Sequence, residues 1–289
     1  MSAKRLLPLI FVLALVVVTT ALVVVCVDPG QRDRRGRVAV VVSILPQAQI
    51  VEKVGGERVD VTVMIPPGKS PATYEPSPVQ IQRLSNAAIY FKVGHPLFPF
   101  ERVHFKKILR GAGKLRIVDG ARGVDLLPHN AHLWLSPKIV AVQVRKVRDA
   151  LIQVDPAGKD LYKKNARAFL QDIAAVEHEI VHRFQHVRRR TFFVYHPAWS
   201  YFARDFGLKQ RALESHFKAP GPKDLERFIQ EAKRSGATTL FVQAQFDRRQ
   251  AKVVARSIGG RVVALDPLAR DWLNNLRHVA KEIAKSLRD

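Results

Sequence analysis

The chain has 289 residues, 47% of them hydrophobic, and a formal net charge of +23. A chain of this length can form one large or two medium domains with a well-buried core. So strong a positive charge favours contact with anionic surfaces. The basic residues are scattered, however, and no nucleic-acid-binding motif accompanies them, so we do not expect nucleic acid as a partner.

The single cysteine, Cys26, lies in an apolar N-terminal segment. An intrachain disulfide is therefore excluded, and so are thiolate zinc sites and cysteine catalysis in the rest of the chain. A folded part without cysteine is compatible with an oxidising compartment, where a free thiol is a liability.

Residues 1–37 predict an export signal or membrane anchor, followed by a short basic tether. Two basic residues precede an apolar run over residues 6–27. This run exceeds the roughly 7–15 residues of a signal-peptide core and fits the about 20 residues of a membrane helix. Cys26 adds lipid attachment as a third option. Residues 28–37 are predicted to form a solvated tether.

Strands and helices alternate from residue 38 onward. Continuous β-branched runs predict buried parallel strands, and amphipathic runs between them predict helices. In the first half, strands are predicted over residues 38–44, 59–65, 88–93 and 115–118, and helices over residues 47–54, 78–85 and 137–153.

A much longer helix is predicted over residues 157–190. Apolar residues recur there every three or four positions and form one stripe, which consists of Phe169, Ile173, Val176, Ile180, Phe184 and Val187. The predicted helix far exceeds the average length of about 11–12 residues. A helix this long between two α/β halves would be a rigid strut.

The second half repeats the alternation of the first. Strands are predicted over residues 191–195, 239–243 and 261–265, and helices over residues 198–206, 222–235 and 249–258 and from residue 271. This alternation implies an α/β fold with parallel sheets, whose ligands bind beyond the carboxyl ends of the strands. His196 and Asp266 each directly follow a predicted strand, as that rule requires.

Four separated segments occur in order along the chain: PPGKSPATYEPSP, HLWLSP, VYHPAWSYFARDFGL and VVALDPL. Together they resemble the zinc/manganese-binding solute receptors of ABC transporters, and the resemblance runs from about residue 38 to the C-terminus. It implies two α/β lobes, residues 38–156 and 191–289, joined by one long helix over residues 157–190. The ligand cleft is then expected between the lobes.

The resemblance implies three metal ligands, His132, His196 and Asp266. Two imidazoles and a carboxylate are a plausible first shell for zinc or manganese. Each histidine must be neutral to donate a nitrogen lone pair. Binding is therefore expected to weaken as the pH falls towards the free histidine pKa of about 6.5.

The chain departs from the family pattern at Ala72, where a histidine is usual in a Pro-His-x-Tyr-Glu-Pro sequence. Alanine cannot coordinate a metal, and three outcomes are open. Water completes a three-residue site, as in catalytic zinc sites, or His129 replaces the missing ligand. In the third outcome, the protein is a degenerate receptor-like module that has lost metal binding and holds an anionic ligand or surface.

Two groups of residues beside the predicted site have other expected roles. Glu214 lies in a segment that matches the family, where it is not usually a ligand. Trp134 and Trp199 are expected to pack beside the site and to shield it from water.

The resemblance also implies the partners and the location of the protein. It predicts a receptor and not an enzyme, which captures zinc, or less readily manganese, as transported cargo. The receptor would be a monomer that delivers the metal to an ABC permease with a cytoplasmic ATPase, and an anionic membrane surface is a further possible partner. It would work in the periplasm or at the outer cell surface, anchored or secreted by its N-terminal segment.

A zinc metalloprotease is the minor alternative. Residues 178–182 read His-Glu-Ile-Val-His, the pattern in which two histidines bind zinc and the glutamate acts as general base. Each histidine, however, follows a residue of the apolar stripe by two positions, about 200° around the helix. We therefore expect this motif to face solvent, whereas a protease helix turns its zinc ligands into a cleft.

Overall fold

The described part of the protein consists of two α/β lobes, each built on a four-stranded parallel sheet, in a computed structural model. The structure describes residues 32–33, 35–109, 115–214, 221–243 and 248–288. The predicted apolar segment 6–27 lies outside these residues. Among the helices of the described part, none is both long and apolar enough to cross a membrane.

The strands of the first lobe are β1 (Val38–Val42), β2 (Val59–Val63), β3 (Ile89–Lys92) and β4 (Arg116–Asp119). Their order in the sheet is β2-β1-β3-β4, and every pairing is parallel. The α-helices of this lobe are α1 (Leu45–Gly55), α2 (Pro78–Ser85), α3 (Pro99–Leu109) and α4 (Pro137–Val154). Strand β1 is almost wholly buried, as its valine run predicts for a central parallel strand.

The long helix α5 (Lys159–Phe184) follows a single 3₁₀ turn. Its buried stripe consists of Tyr162, Ala166, Phe169, Ile173, Val176, Ile180 and Phe184. The helix ends at Phe184, before the predicted residue 190. Beyond it, the guanidinium group of Arg189 donates hydrogen bonds to the carbonyl oxygens of Ser235, Gly236 and Ser286.

The second lobe repeats the topology of the first. Its strands are β5 (Thr191–Val194), β6 (Lys209–Ala212), β7 (Thr239–Val242) and β8 (Arg261–Ala264), and its helices are α6 (Ser200–Asp205), α7 (Pro222–Arg234), α8 (Arg248–Ser257) and α9 (Trp272–Arg288). The strand order is β6-β5-β7-β8, again all parallel. Helix α5 packs against α1, α4 and α9 and so contacts elements of both halves. The predicted α/β fold with parallel sheets and one long helix is confirmed.

Two elements were not predicted from the sequence pattern. Helix α3 is anchored by Glu101, whose buried carboxylate accepts the backbone N–H groups of Val93 and Gly94 at 2.6 and 2.8 Å. Strand β6 has the sequence KQRA and lies at the edge of its sheet, with every second residue exposed. Contacts with distant residues, and not a local hydrophobic period, hold both elements in place.

Hydrogen bonds from two indole groups tie the lobes together beyond the strand ends. Trp134 Nε1 donates to the carbonyl oxygen of Pro267 at 2.7 Å, and Trp272 Nε1 donates to the carbonyl oxygen of Trp134 at 2.7 Å. In addition, Gln49 Oε1 of α1 accepts the backbone N–H groups of Trp272 and Leu273 at the start of α9. These bonds hold together the loops that form the cleft.

The residues of the predicted tether that the structure describes are exposed or half-buried, and two of their arginines form ion pairs. Arg32 forms an ion pair with Asp155 of the first lobe at 3.0 Å. Arg37 pairs with Asp33 at 2.7 Å and with Asp60 at 3.0 Å. The tether packs against the lobe because its arginines meet acidic side chains there.

Asp155, which follows α4, is a carboxylate only 2% exposed. Its oxygens accept hydrogen bonds from Arg58 at 2.8 and 2.9 Å, from Arg32 at 3.0 Å and from Tyr162. Burial raises the pKa of this carboxyl, but the hydrogen bonds outweigh burial and hold the pKa of Asp155 well below its usual range. Because the folded-state pKa is the lower one, this stabilisation is present above about pH 4 and is lost as the pH falls.

Asp155→Asn is expected to lower the free energy of unfolding by about 3 kcal/mol at pH 7, since it leaves buried donors without their anion. The arginines are partly exposed, which keeps the loss at the lower end of the range for buried ion pairs. Urea unfolding measures the loss, which should shrink below about pH 4. Asp149→Asn in α4 is the control, because this carboxylate is 57% exposed and should cost less than about 1 kcal/mol. Equal losses for both variants would contradict the account.

Candidate metal centre

A small cavity of about 60 Å³ lies beyond the carboxyl ends of the strands, with walls from both lobes. It is lined by Ser70, Pro71, Ala72, Phe98, Pro99, Ala131, His132, Trp134, His196, Gln243, Pro267 and Leu268. A water molecule takes about 30 Å³ of liquid, whereas drug-sized ligands need about 300–1,000 Å³. The cavity therefore has room for an ion and a water molecule but not for a larger organic solute.

His132 stands at the start of a one-turn 3₁₀ helix, Leu133–Leu135. Its backbone N–H and its Nδ1 lie 2.9 and 3.0 Å from Oδ1 of Asn130. A carbonyl oxygen can only accept hydrogen bonds, so Nδ1 carries the proton in this arrangement. Nε2 is then the unprotonated nitrogen, the one with a lone pair for a metal.

His196 lies two residues beyond β5 and is 7% exposed. Its Nδ1 lies 2.7 Å from Oε2 of Glu214, which lies two residues beyond β6. The carboxylate holds the proton on Nδ1, so Nε2 again carries the lone pair. The sequence predicted that Glu214 is not a ligand, and in the structure it orients one of the predicted ligands.

The imidazole rings of His132 and His196 meet in the cavity. Their centroids are 5.3 Å apart and their planes form an angle of 73°. Although they are 64 positions apart in sequence, the two side chains are therefore close enough to share one small ligand. In both rings an oxygen atom behind the imidazole accepts a hydrogen bond from Nδ1–H, as is usual for metal-ligating histidines.

Asn130 connects the loops that carry the two histidines. While its Oδ1 orients His132, its Nδ2 donates to the carbonyl oxygen of Pro197 and to Ser200 Oγ, at 3.0 Å for the latter. Pro197 directly follows His196. The amide thus fixes the distance between the two imidazoles and is itself 7% exposed.

The electrostatics of the cavity favour a cation. Burial above all, followed by the proximity of His196 and His95, holds the pKa of His132 well below its usual value. His132 is therefore neutral at pH 7 and offers a lone pair instead of a positive charge. Among the described residues that line the cavity there is no lysine or arginine.

Asp266 follows β8 but lines an adjoining cavity of about 380 Å³, which shares Leu268 with the first. Its Oδ1 accepts the backbone N–H of Leu268 at 2.9 Å. Among the described residues, no group of three or more His, Cys, Asp or Glu side chains is placed to hold a metal ion. The structure thus brings His132 and His196 together, and joint coordination with Asp266 stays a prediction.

Ala72 and His129 occupy different places relative to the two histidines. Ala72 lines the same cavity as they do. His129 is exposed and lines a separate cavity, whose other walls include Asn130 and Glu214. His129 therefore lies behind the residues that orient the two imidazoles.

Two residues near the site were missed by sequence reasoning. His95 lies close to His132 and is 4% exposed; its Nδ1 accepts the N–H of Leu97 and its Nε2 donates to the carbonyl oxygen of Leu127, both at 3.1 Å. Gln243 directly follows β7, lines the cavity and is 7% exposed. Both come shortly after strands, so the strand-end rule is the signal that could have found them.

The His-Glu-x-x-His motif faces solvent, as predicted. His178, Glu179 and His182 are all exposed on α5. The carboxylate of Glu179 accepts hydrogen bonds from Arg277 at 2.8 and 3.0 Å. A glutamate held by an arginine on an open surface is not placed as the general base of a protease.

Comparison with known proteins identifies the family of this chain. Residues 40–286 match the family model described as "Zinc-uptake complex component A periplasmic". The chain belongs to this family. The family consists of the substrate-binding receptors of metal ABC transporters and not of enzymes, as the resemblance implied.

Individual relatives cover most of the chain. The crystal structure of ZnuA is 34% identical in sequence, with a TM-score of 0.82 over 87% of this chain and 99% of that one. A putative metal-binding protein of Chlamydia muridarum is 28% identical over 251 residues, 85% of this chain and 90% of the relative. The manganese-binding lipoprotein MntA of Halalkalibacterium halodurans is 26% identical over 243 residues, 80% of this chain and 79% of the relative. The family description names zinc and MntA is named for manganese, so membership establishes a metal receptor and leaves the metal open.

Proposed function

We propose that this receptor captures a single divalent metal ion, zinc ahead of manganese, and delivers it to an ABC permease. The observation that carries the proposal is the pair His132 and His196, whose rings lie 5.3 Å apart with Nδ1 of each bound by an oxygen atom. In this arrangement Nε2 is the nitrogen of each ring that would bind the metal. The metal is cargo and is released to the permease.

Asp266 is the proposed third ligand. It belongs to the loop whose next two residues, Pro267 and Leu268, line the cavity of the histidines. Its carboxylate would join the two imidazoles at the ion, and water or another oxygen donor would complete the coordination where Ala72 supplies none. Two imidazoles and a carboxylate suit zinc, whereas manganese favours more oxygen ligands.

The anion-binding alternative has less support from the cavity. An anion needs positive charge or several N–H donors, but the lining residues in the described part include no lysine or arginine. The indole N–H of Trp134, which lies beside the site, already donates a hydrogen bond to the carbonyl oxygen of Pro267. The neutral imidazole of His132 therefore gives the cavity the character of a cation site.

The proposed place of work is outside the cytoplasm, in the periplasm or at the outer cell surface. MntA is by name a lipoprotein, and the apolar segment 6–27 of this chain would serve as signal or anchor. The net charge of +23 suits work as a monomer beside an anionic membrane surface. Exposed basic residues suited to such a surface include Arg249, Lys252 and Arg256 of α8.

Calorimetric titration of the full-length protein, purified without a histidine tag, tests the proposal. Zinc, manganese and inorganic phosphate are titrated separately into metal-free protein. One equivalent of tightly bound zinc, weaker binding of manganese and no binding of phosphate are expected. Binding and thermal stabilisation by phosphate without binding of either metal would overturn the metal function in favour of the anion alternative.

The double variant His178→Ala/His182→Ala is expected to keep the tight zinc equivalent unchanged, because these side chains are exposed and do not line the cavity. It should remove only weak additional zinc, of the kind that histidines four residues apart on a helix can bind. Titration of both proteins with zinc in the presence of a competing chelator separates the two classes. Loss of the tight equivalent in this variant would show that α5, and not the cleft, holds the metal.

A further inference from the structure

The side chain of Gln243 contains a buried polar atom that the fold alone does not explain. It is 7% exposed, and its Nε2 is buried without a hydrogen-bond partner among the described residues. A buried polar group without a partner costs about 1–3 kcal/mol, so such a group in a folded protein needs a reason. A hydrophobic residue of similar size would avoid this cost.

The place of Gln243 in the fold supplies a reason. In the second sheet the strand order runs β6-β5-β7-β8, so the chain reverses direction across the sheet between β5 and β7. Ligands of open parallel sheets bind at this reversal, beyond the carboxyl ends of the two strands. His196 follows β5 and Gln243 follows β7, and both line the cavity of about 60 Å³.

The chemistry of the amide fits a cation in that cavity. The two ends of a glutamine amide are assigned from their hydrogen bonds, and rotation by about 180° exchanges Oε1 and Nε2. Because Nε2 has no partner among the described residues, the rotation breaks no hydrogen bond of that nitrogen. The rotated amide would present a carbonyl oxygen, which is a ligand that manganese accepts better than softer metals do.

We propose that Gln243 is a ligand to the captured metal and supplies an oxygen in place of the donor that Ala72 lacks. This inference rests on the proposed function of the cavity. The resulting set is two imidazole nitrogens and one neutral oxygen, with Asp266 as the charged member. Compared with a site of three imidazoles, this set shifts the balance of affinities from zinc towards manganese.

Three variants test the role of Gln243. Gln243→Leu keeps the size and removes the oxygen, and Gln243→Glu keeps an oxygen and adds a negative charge. Thr239→Val is the matched control, because Thr239 on the same strand is 3% exposed, carries an unpartnered buried hydroxyl and does not line the cavity. Affinities for zinc and manganese are measured by competitive titration of the full-length proteins, together with the melting temperature of each metal-free protein.

Gln243→Leu is expected to weaken manganese binding at least about tenfold and zinc binding less, while the metal-free protein melts at the same or a higher temperature because a buried unpaired amide is gone. Gln243→Glu should strengthen manganese binding, and Thr239→Val should leave both affinities unchanged. Such a split between affinity and stability cannot come from a merely structural role. The result for Gln243→Glu decides the question if Gln243→Leu does not fold.

Two results would overturn the inference, and they differ from each other. If the native protein binds metal and both Gln243 variants bind it with native affinity, Gln243 is not a ligand and the proposed function stands. If the native protein binds neither zinc nor manganese, the proposed function fails and the role of Gln243 fails with it.

Discussion

Replacing His196 by alanine is expected to abolish tight zinc binding, with a loss of affinity of roughly a thousandfold. Zinc sites with four protein ligands have apparent binding free energies of about 10–16 kcal/mol, which is roughly 3–4 kcal/mol per ligand. A loss of about 4 kcal/mol corresponds to roughly a thousandfold in Kd. The variant removes one of the two imidazole ligands, and it also leaves Glu214 without the imidazole that it orients. Competitive titration against a chelator of known affinity measures the loss.

His129→Ala is the control for this variant. His129 is the nearby histidine that sequence reasoning offered as a replacement ligand, but it is exposed and lines a different cavity. Its removal should change the zinc affinity less than about threefold, or roughly 0.6 kcal/mol. A protein that keeps its affinity without His196 and loses it without His129 would show that the site lies in the outer cavity.

Ala72→His is expected to have the second-largest effect, a gain in zinc affinity of about 10- to 1,000-fold. Ala72 lines the same cavity as His132 and His196. The side chain of a histidine at position 72 would therefore begin at the cavity wall. A third imidazole would contribute at most about the 3–4 kcal/mol of one zinc ligand. The gain should be smaller for manganese, which favours oxygen over additional nitrogen.

Thr73→His is the matched control for the added imidazole. Thr73 is the next residue and is exposed, but it does not line the cavity. This variant should bind zinc as the native protein does, apart from weak surface binding. If both variants gain equally, the effect comes from any added histidine, and the position of Ala72 has no special meaning. If Ala72→His binds zinc and the native protein does not, the cleft persists in a protein that has given up metal.

The elements of the fold were predictable wherever local pattern and burial agree. Helix α2 begins at Pro78 and ends at Ser85, as predicted residue for residue, because Ser77 caps its start and proline occupies the first turn. Strand β1 was predictable because a central parallel strand is buried on both sides and its sequence is a valine run. Edge strand β6 was not, since half of its residues face solvent and carry no apolar signal.

The candidate site was predictable to a smaller extent. The strand-end rule together with the family resemblance pointed to His132 and His196, and the structure brings these two together. The residues behind them were not predictable. Asn130 and Gln243 are neutral amides whose roles depend on which loops the fold places beside each other, and nothing in their local sequence encodes that.

The charge pattern was a weaker guide than the fold. The arginine-rich residues before β1 were predicted to form a solvated tether, and the structure pairs Arg32 of this segment with Asp155 across 123 positions of sequence. The same holds for Glu179, which fits a protease pattern in sequence and is paired with Arg277 in space. Charged side chains find partners through tertiary structure, so sequence spacing alone does not fix their function.

The most direct test of a metal centre at His132 and His196 is a crystal structure of the zinc-loaded protein with anomalous data collected on both sides of the zinc absorption edge. One strong anomalous peak is predicted in the cavity, about 2.0–2.1 Å from Nε2 of both histidines. A peak confined to the exposed histidines of α5, or anomalous density in the cavity that is bound to neither imidazole, would contradict the account.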